Sequence, residues 1–387
     1  MSPSIGKLLK DRREVLSLRR DQVAARAHVS EESLGAFEDG RGNVSAAALD
    51  RLAEVLALDA VALRDGRSEK RPSASIFFFD QATFPDLRDL EDRPKVAAAF
   101  DHALALIEVD ALLGRPTSQR SAFEPERPTP EAPRDGYRLA NRVRAALGNE
   151  VDPMPDMARL LEERFDIVVR CEPLVSRSIA ALTVKENIRG AAAVLLNSSA
   201  ERRSNPSTIR VDLAHELCHV LFDPAQDDVD LVVDEEREDG MPRRGREDAS
   251  PGELCERRAR AFAAELLMPA EGLRKLLGKP RYEMSKTAAM DLVSRARDHF
   301  DTPIEIAANH LTNREYIATW LRVSLIEWAR RQEPRRRVGE TSIPALPARA
   351  DLLERRVLTA LERELITNER ARELLGLSPW DDLPATA

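Results

Sequence analysis

The sequence predicts a mainly α protein with a small β-sheet, an α+β chain whose first unit is all-α. Three observations predict it. Apolar residues recur at helical spacing along most of the 387 residues, the signature of amphipathic helices. Aromatic residues make up only 4% and charged residues 33%, with Ala, Leu, Arg and Glu abundant, a composition of helix formers. Three short apolar runs that read as strands follow one another between residues 166 and 199. The chain is too long for one hydrophobic core, so the expected division is 1–66, 67–135, 136–311 and 312–387.

The first unit is a set of short helices. "IGKLLKDRREVL" puts Ile5, Leu8, Leu9 and Val15 on one helical face. "RRDQVAARA" follows, then the break "HVS", then "EESLGAFEDG" with Ser30 as N-cap and Gly40 as stop,. "SAAALDRLAEVLAL" is a fourth helix, capped by Ser45. A helix, a turn of about three residues and a second helix make a helix-turn-helix arrangement.

Val23, Ala24, Val29, Ser30, Leu34, Phe37, Glu38 and Gly40 also give this unit a resemblance to the Cro/C1-type (XRE) family. The resemblance implies binding of double-stranded DNA through residues 1–66. Arg19, Arg20, Arg26, Ser30, Ser33 and Arg41 are the candidate DNA-binding residues. The net charge of −8 gives the whole chain no basic field, so any DNA contact must come from a local face. Two residues depart from the family. His28 stands where the family has Gly, so it must adopt positive φ or reshape the turn. Glu31 and Glu32 open the second helix with acidic charge.

Residues 67–135 read as a linker carrying a short strand and a helix. "SIFFFDQATF" is strand-like and "RPKVAAAFDHALALIEVDALLG" helical, with His102 a structural residue of that helix. "RPTSQRSAFEPERPTPEAPRDG" is rich in Pro, Arg and Glu and reads as exposed, extended chain. From Tyr137, "YRLANRVRAALG" and "MPDMARLLEERF" are amphipathic helices, and "DIVVRCEPL", "SIAALTV" and "GAAAVLLNSS" are strands,.

The chemistry centres on "VDLAHELCHVLFD", Val211 to Asp223. On a helix over 207–222, His215 and His219 stand one turn apart on one face, so both imidazoles can bind one zinc ion. Glu216 is turned about 100° away, beside the ion, where it can take a proton from an attacking water and return it to the leaving amine. The spacing is HExxH. A third ligand is needed, and "GELCERRARAFAAELLMP" offers Glu253, Glu256 and Glu265. Glu256 shares a stripe with the small Ala259 and Ala263, Glu265 points to the opposite side, and Glu253 lies at the helix start. Spacing favours Glu256, then Glu253.

"AHELCH" followed by "ERRARAFAAELLMP", with "FDTPIEIAANHL" near the end, resembles the ImmA/IrrE metallopeptidases over about residues 137–311. The resemblance implies a gluzincin-like helical core with a small sheet, zinc on His215, His219 and Glu256, Glu216 as general base, and helix-turn-helix repressors as substrates. Cys218 replaces a family Gly and is expected to be a buried thiol. Arg260 replaces Asn or Asp and is expected to disturb the groups that orient a histidine. Asp212 replaces Thr and is expected to supply a carboxylate for that orientation.

The charged stretch between the two motifs, residues 223–252, reads as a flexible surface loop that could cover the cleft. His310 is expected to be structural and His299 exposed. Residues 312–387 read as helical, with "RRQEPRRR" a solvated helix end. Three cysteines and no apolar run of membrane length predict a cytoplasmic protein with no membrane partner. The expected function is a zinc endopeptidase fused to a DNA-binding unit, cleaving a transcription regulator in a stress, mobile-element or defence response. A homodimer is a possible assembly. The alternative is a DNA-binding regulator whose peptidase-like domain is a sensor or dimerisation platform without turnover.

Overall fold

A computed structural model describes residues 4–15, 18–56, 58, 60–64, 66, 92–115, 119–154, 156–200, 207–225, 229–235, 250–283, 285–332, 351–377 and 381–384. The strand-like run at 75–84 lies outside these residues, as does most of "RRQEPRRR". The chain divides into two compact units, residues 1–101 and 102–387.

The first unit is all-α. Helices α1 (Ile5–Val15), α2 (Arg20–Arg26), α3 (Glu31–Glu38), α4 (Ala46–Val55) and α5 (Ala60–Arg64) enclose a core of Leu9, Val23, Ala24, Leu34, Leu52 and Ala53. Ser30 caps α3, its Oγ accepting from the Ser33 amide at 3.0 Å, and Ser45 accepts from the Ala48 amide at 3.2 Å. His28 does adopt positive φ, at 50°. The unit is tied by a buried carboxylate. Glu38 is only 4% exposed and accepts from Arg13 Nε at 2.7 Å and Nη2 at 2.9 Å, and from Arg20 Nε at 3.0 Å.

Helix α6 (Arg93–Leu112) spans the division between the units. The second unit continues with α7 (Ala132–Leu147), α8 (Met157–Phe165), β1 (Val168–Glu172), β2 (Ile179–Glu186), β3 (Ala192–Asn197), α9 (Ser207–Phe222), β4 (Val229–Glu235) and α10 (Pro251–Leu267). After these come α11 (Ala270–Leu277), α12 (Lys286–Phe300), α13 (Ile304–Asn313), α14 (Arg322–Gln332), α15 (Asp351–Glu362) and α16 (Asn368–Leu374). The fold is mainly α with a small sheet, as expected.

The sheet has the order β1-β3-β2-β4. β1 runs parallel to β3, and β2 runs antiparallel to both β3 and β4. All of β2 and β3 is buried. Two expectations are corrected here. The charged stretch after α9 is not simply a surface loop, because Val229–Glu235 completes the sheet and sets Val232 opposite Thr183. The apolar run Leu231-Val232-Val233 suits a strand, and the acidic residues around it hid the pattern. The expected cover over the cleft falls on residues 236–249, which lie outside the described residues.

The Pro-rich stretch before α7 is likewise not free linker. Phe123 is buried, its ring 6.1 Å from that of Phe165 and 5.8 Å from that of Phe222. The Glu126 amide donates to the Phe222 carbonyl at 3.0 Å. A phenylalanine among prolines gains more by burial than by exposure, and it draws the segment onto the core. Helix α7 then starts at Ala132 rather than Tyr137, because Pro133 fits the first turn,. The core beneath joins α7, α8, the sheet, α9 and α10. A separate core joins α11, α12, α13 and α14.

Candidate metal centre

Helix α9 carries the site because it is buried nearly all round. Leu213, Ala214, Leu217, Cys218, Leu221 and Phe222 pack into the core. Its polar residues are therefore held in a dry environment and need partners. His215 and His219 share one face, with ring centroids 4.7 Å apart. Helix α10 crosses beside them and brings Glu256.

The three side chains converge. The two Nε2 atoms lie 3.0 Å apart. Glu256 places Oε2 3.4 Å from His215 Nε2 and Oε1 3.3 Å from His219 Nε2. A tetrahedral ion with bonds of about 2.0–2.1 Å has ligand–ligand edges of about 3.3–3.4 Å. The edges of 3.0, 3.3 and 3.4 Å therefore frame one face of such a tetrahedron. Among the described residues this is the one group of three or more His, Cys, Asp or Glu side chains so placed. His219 is fully buried and Glu256 is 25% exposed at its side chain, so the Glu256 side opens to solvent.

The other two candidate carboxylates are engaged elsewhere. Ser250 caps α10 and Glu253 completes the capping box, its Oε2 accepting from the Ser250 amide at 3.0 Å,. Glu265 turns to the opposite side, 3.2 Å from His310 Nε2 and accepting from Arg314 Nε at 3.1 Å. His310 is buried and His299 exposed, as expected. Cys218 is fully buried, and burial pushes its thiol up to about 12.

Glu216 is completely buried, and Thr183 of β2 donates from Oγ1 to its Oε2 at 2.6 Å. Asp223 Oδ2 lies 2.7 Å from His219 Nδ1, so Nδ1–H donates and Nε2 is left to face the other ligands. The carboxylate expected for that job was Asp212; for His219 it is Asp223, one turn further along the same face. Its other oxygen accepts from Arg258. Lys185 Nζ donates to the Asp223 carbonyl at 2.6 Å.

Burial works against the charged form of His219, yet Asp223 and Glu256 outweigh it and hold the imidazole well above its usual range. Burial likewise opposes ionised Glu256, but His215 and His219 hold it well below the usual carboxylate range. Two imidazoles and one carboxylate are a donor set that can hold a divalent metal ion,. Arg260 does not reach a histidine. Its side chain is exposed and lies 3.7 Å from Glu256 Oε2.

Thr183, Asp223 and Arg258 were not singled out from the sequence. Asp223 had a signal, its spacing of one helical turn from His219. Thr183 had none, since only the strand pairing brings it to Glu216.

The candidate DNA-binding residues surround α2 and α3. Arg19 pairs with Asp21 at 2.6 Å and Arg41 with Asp39 at 2.8 Å, both exposed arginines. Arg20 is turned to Glu38. Arg26 is half-buried in the last turn of α2. Ser30 and Ser33 bond one another at 2.7 Å across the N-terminus of α3, and Glu31 and Glu32 are exposed beside them.

Comparison with known families agrees with both units. Residues 4–65 match a helix-turn-helix domain family. Residues 162–312 match peptidase M78, the IrrE N-terminal-like domain. The two matches, in this order, are those that the resemblance to the ImmA/IrrE architecture with an N-terminal helix-turn-helix implies. The second match starts within α8, so α7 precedes it, and it ends in α13. A comparison with curated proteins gives no match. No described helix is long and apolar enough to cross a membrane.

Proposed function

We propose that the chain is a zinc-dependent endopeptidase that cleaves a protein, a helix-turn-helix type transcription regulator, and is brought to DNA by its own N-terminal unit. The single observation that carries the reading is the triangle of His215 Nε2, His219 Nε2 and Glu256, with edges of 3.0, 3.3 and 3.4 Å. The match of residues 162–312 to a peptidase family supports the same class of reaction.

His215, His219 and Glu256 would hold the ion. When bound, it supplies a Lewis acid that polarises the scissile carbonyl and acidifies water. Glu216 is the general base. With Oε2 fixed by Thr183, its carboxylate takes a proton from the attacking water and delivers it to the leaving amide nitrogen. Asp223 fixes a proton of His219 on Nδ1, so Nε2 is the nitrogen that would lose its proton and face the ion,. The dry surroundings of α9 strengthen each of these interactions.

The test compares the zinc-loaded wild type with Glu216→Gln. Each is added to a lysate of the source cell, and new protein N-termini are chemically labelled and sequenced. The expected result is a set of new termini made by the wild type alone, with equal zinc content in both proteins. Identical terminal profiles would overturn the enzyme reading and leave a regulator without turnover.

A further inference from the structure

We propose that Arg258 is a positioning residue for the metal centre, acting through Asp223 on His219. The inference rests on the metal-centre reading above. Arg258 has no solvent exposure. Taking an arginine fully out of water is costly unless each fork of the guanidinium is used. Its Nη2 meets Asp223 Oδ1, and its Nη1 donates to the Glu126 carbonyl at 2.5 Å.

The division of labour on the Asp223 carboxylate is the decisive feature. One oxygen takes the Arg258 guanidinium and the other takes His219 Nδ1 at 2.7 Å. A carboxylate gripped on one side cannot rotate, so the imidazole plane it fixes cannot rotate either. That fixed plane holds Nε2 itself 3.0 Å from His215 Nε2 and 3.3 Å from Glu256 Oε1. Lys185 does not duplicate the grip, because its ammonium meets the Asp223 main-chain oxygen instead.

Arg258 also stands two residues after Glu256 on α10. The same turn of helix that supplies one ligand therefore aligns the support of another, and it does so across to α9. A purely structural tie between α10 and the Glu126 segment would need only a neutral donor to that carbonyl. The cation is required by the buried carboxylate, whose task is the histidine.

The full chain, stripped of metal, is titrated with zinc and with cobalt(II) against a chelator of known affinity. The visible absorption of the cobalt form reports the ligand geometry. The proteins are wild type, Asp223→Asn, Arg258→Met, Arg258→Lys and the Asp223→Asn/Arg258→Met double variant. Loss of such supporting groups weakens metal binding by about tenfold to hundredfold. Asp223→Asn and Arg258→Met are expected to fall in that range with an altered cobalt spectrum. Arg258→Lys should recover part of the loss, and the double variant should bind no more weakly than the weaker single variant.

Single losses below fivefold, or a double loss equal to the product of the two, would overturn the proposal. A merely structural arginine would lower the unfolding temperature of the metal-free protein and leave the affinity of the folded protein unchanged, which also overturns it. Should Arg258→Met fail to fold, Arg258→Lys and the near-isosteric Asp223→Asn decide alone. Should the wild type itself take up no ion, the metal-centre reading fails. Tight binding by wild type and variants alike leaves that reading intact and removes only the role of Arg258.

Discussion

Glu256 and Glu265 lie on one helix and serve opposite faces of it. Glu256 joins His215 and His219, whereas Glu265, with no exposure, joins His310 and Arg314. The second cluster also includes Tyr137, whose ring lies 4.0 Å beneath the Arg314 guanidinium. Helix α10 is thus tied near its start through Glu256 to the two histidines and at its far end by an ion pair to the turn after α13. Burial alone would raise the Glu265 carboxyl, but His310 and Arg314 outweigh it and hold it below the ordinary value of 4.5. A lowered carboxylate contributes stability above its unfolded value and loses it as pH falls through the folded one. Stability should therefore decline below about pH 4.5, and Glu265→Gln should weaken that acid limb while lowering stability at neutral pH by about 3–5 kcal/mol. Thermal unfolding across the pH range checks this; an acid limb parallel to wild type would refute it.

Thr183 offers a second prediction. Its hydroxyl bonds Glu216 at 2.6 Å within a fully buried pair, and a hydrogen bond to a charged group contributes about 1.5–3 kcal/mol. Thr183→Val preserves shape and removes the donor. Turnover should fall by about tenfold to hundredfold with metal content unchanged, measured as kcat on a cleaved protein and zinc per chain. Equal loss of metal and turnover would mean that Thr183 supports the fold rather than the base.

The site's central pattern was legible in the sequence because a helix repeats regularly. His215 and His219 on one face, Glu216 turned aside and Glu256 preferred over Glu265 all follow from helical geometry. Asp223 obeys the same periodicity, but its place at the helix end drew attention to the charged stretch beyond. Strand pairing has no such local rule. Thr183 meets Glu216, and Val232 meets Thr183, through a register that only the folded sheet defines. Phe123 was hidden in the same way, as an apolar residue inside a Pro-rich run that composition assigns to solvent.

Gly136 marks a close approach of α7 to α10. A Cβ there would collide with the Arg258 carbonyl oxygen and come 2.8 Å from the Phe262 amide nitrogen, and backbone atoms cannot step aside as a flexible side chain can. Gly136→Ala should therefore destabilise by about 1–3 kcal/mol through overpacking, despite alanine's better helix propensity. Denaturant unfolding gives the sign. A stabilised variant would show that α7 does not pack on α10 this closely.

The helix-turn-helix unit separates two arginines that look alike in sequence. Arg20 is paired with the buried Glu38, whereas Arg41 has 75% of its side chain exposed and only the exposed Asp39 beside it. Arg20→Ala removes a donor from a buried carboxylate and should destabilise the unit by about 1–3 kcal/mol. Arg41→Ala should leave stability unchanged. If this face meets DNA, each lost phosphate contact lowers the slope of log affinity against log salt by about 1. Arg41→Ala should show that reduction, measured by fluorescence anisotropy on a duplex over a salt series, uniformly across sequences. Arg20→Ala should weaken binding only as far as it unfolds the unit, which circular dichroism on the same samples reports. A wild type that binds no duplex at low salt would rule out DNA recognition by this face, whose acidic start, Glu31 and Glu32, repels phosphate,.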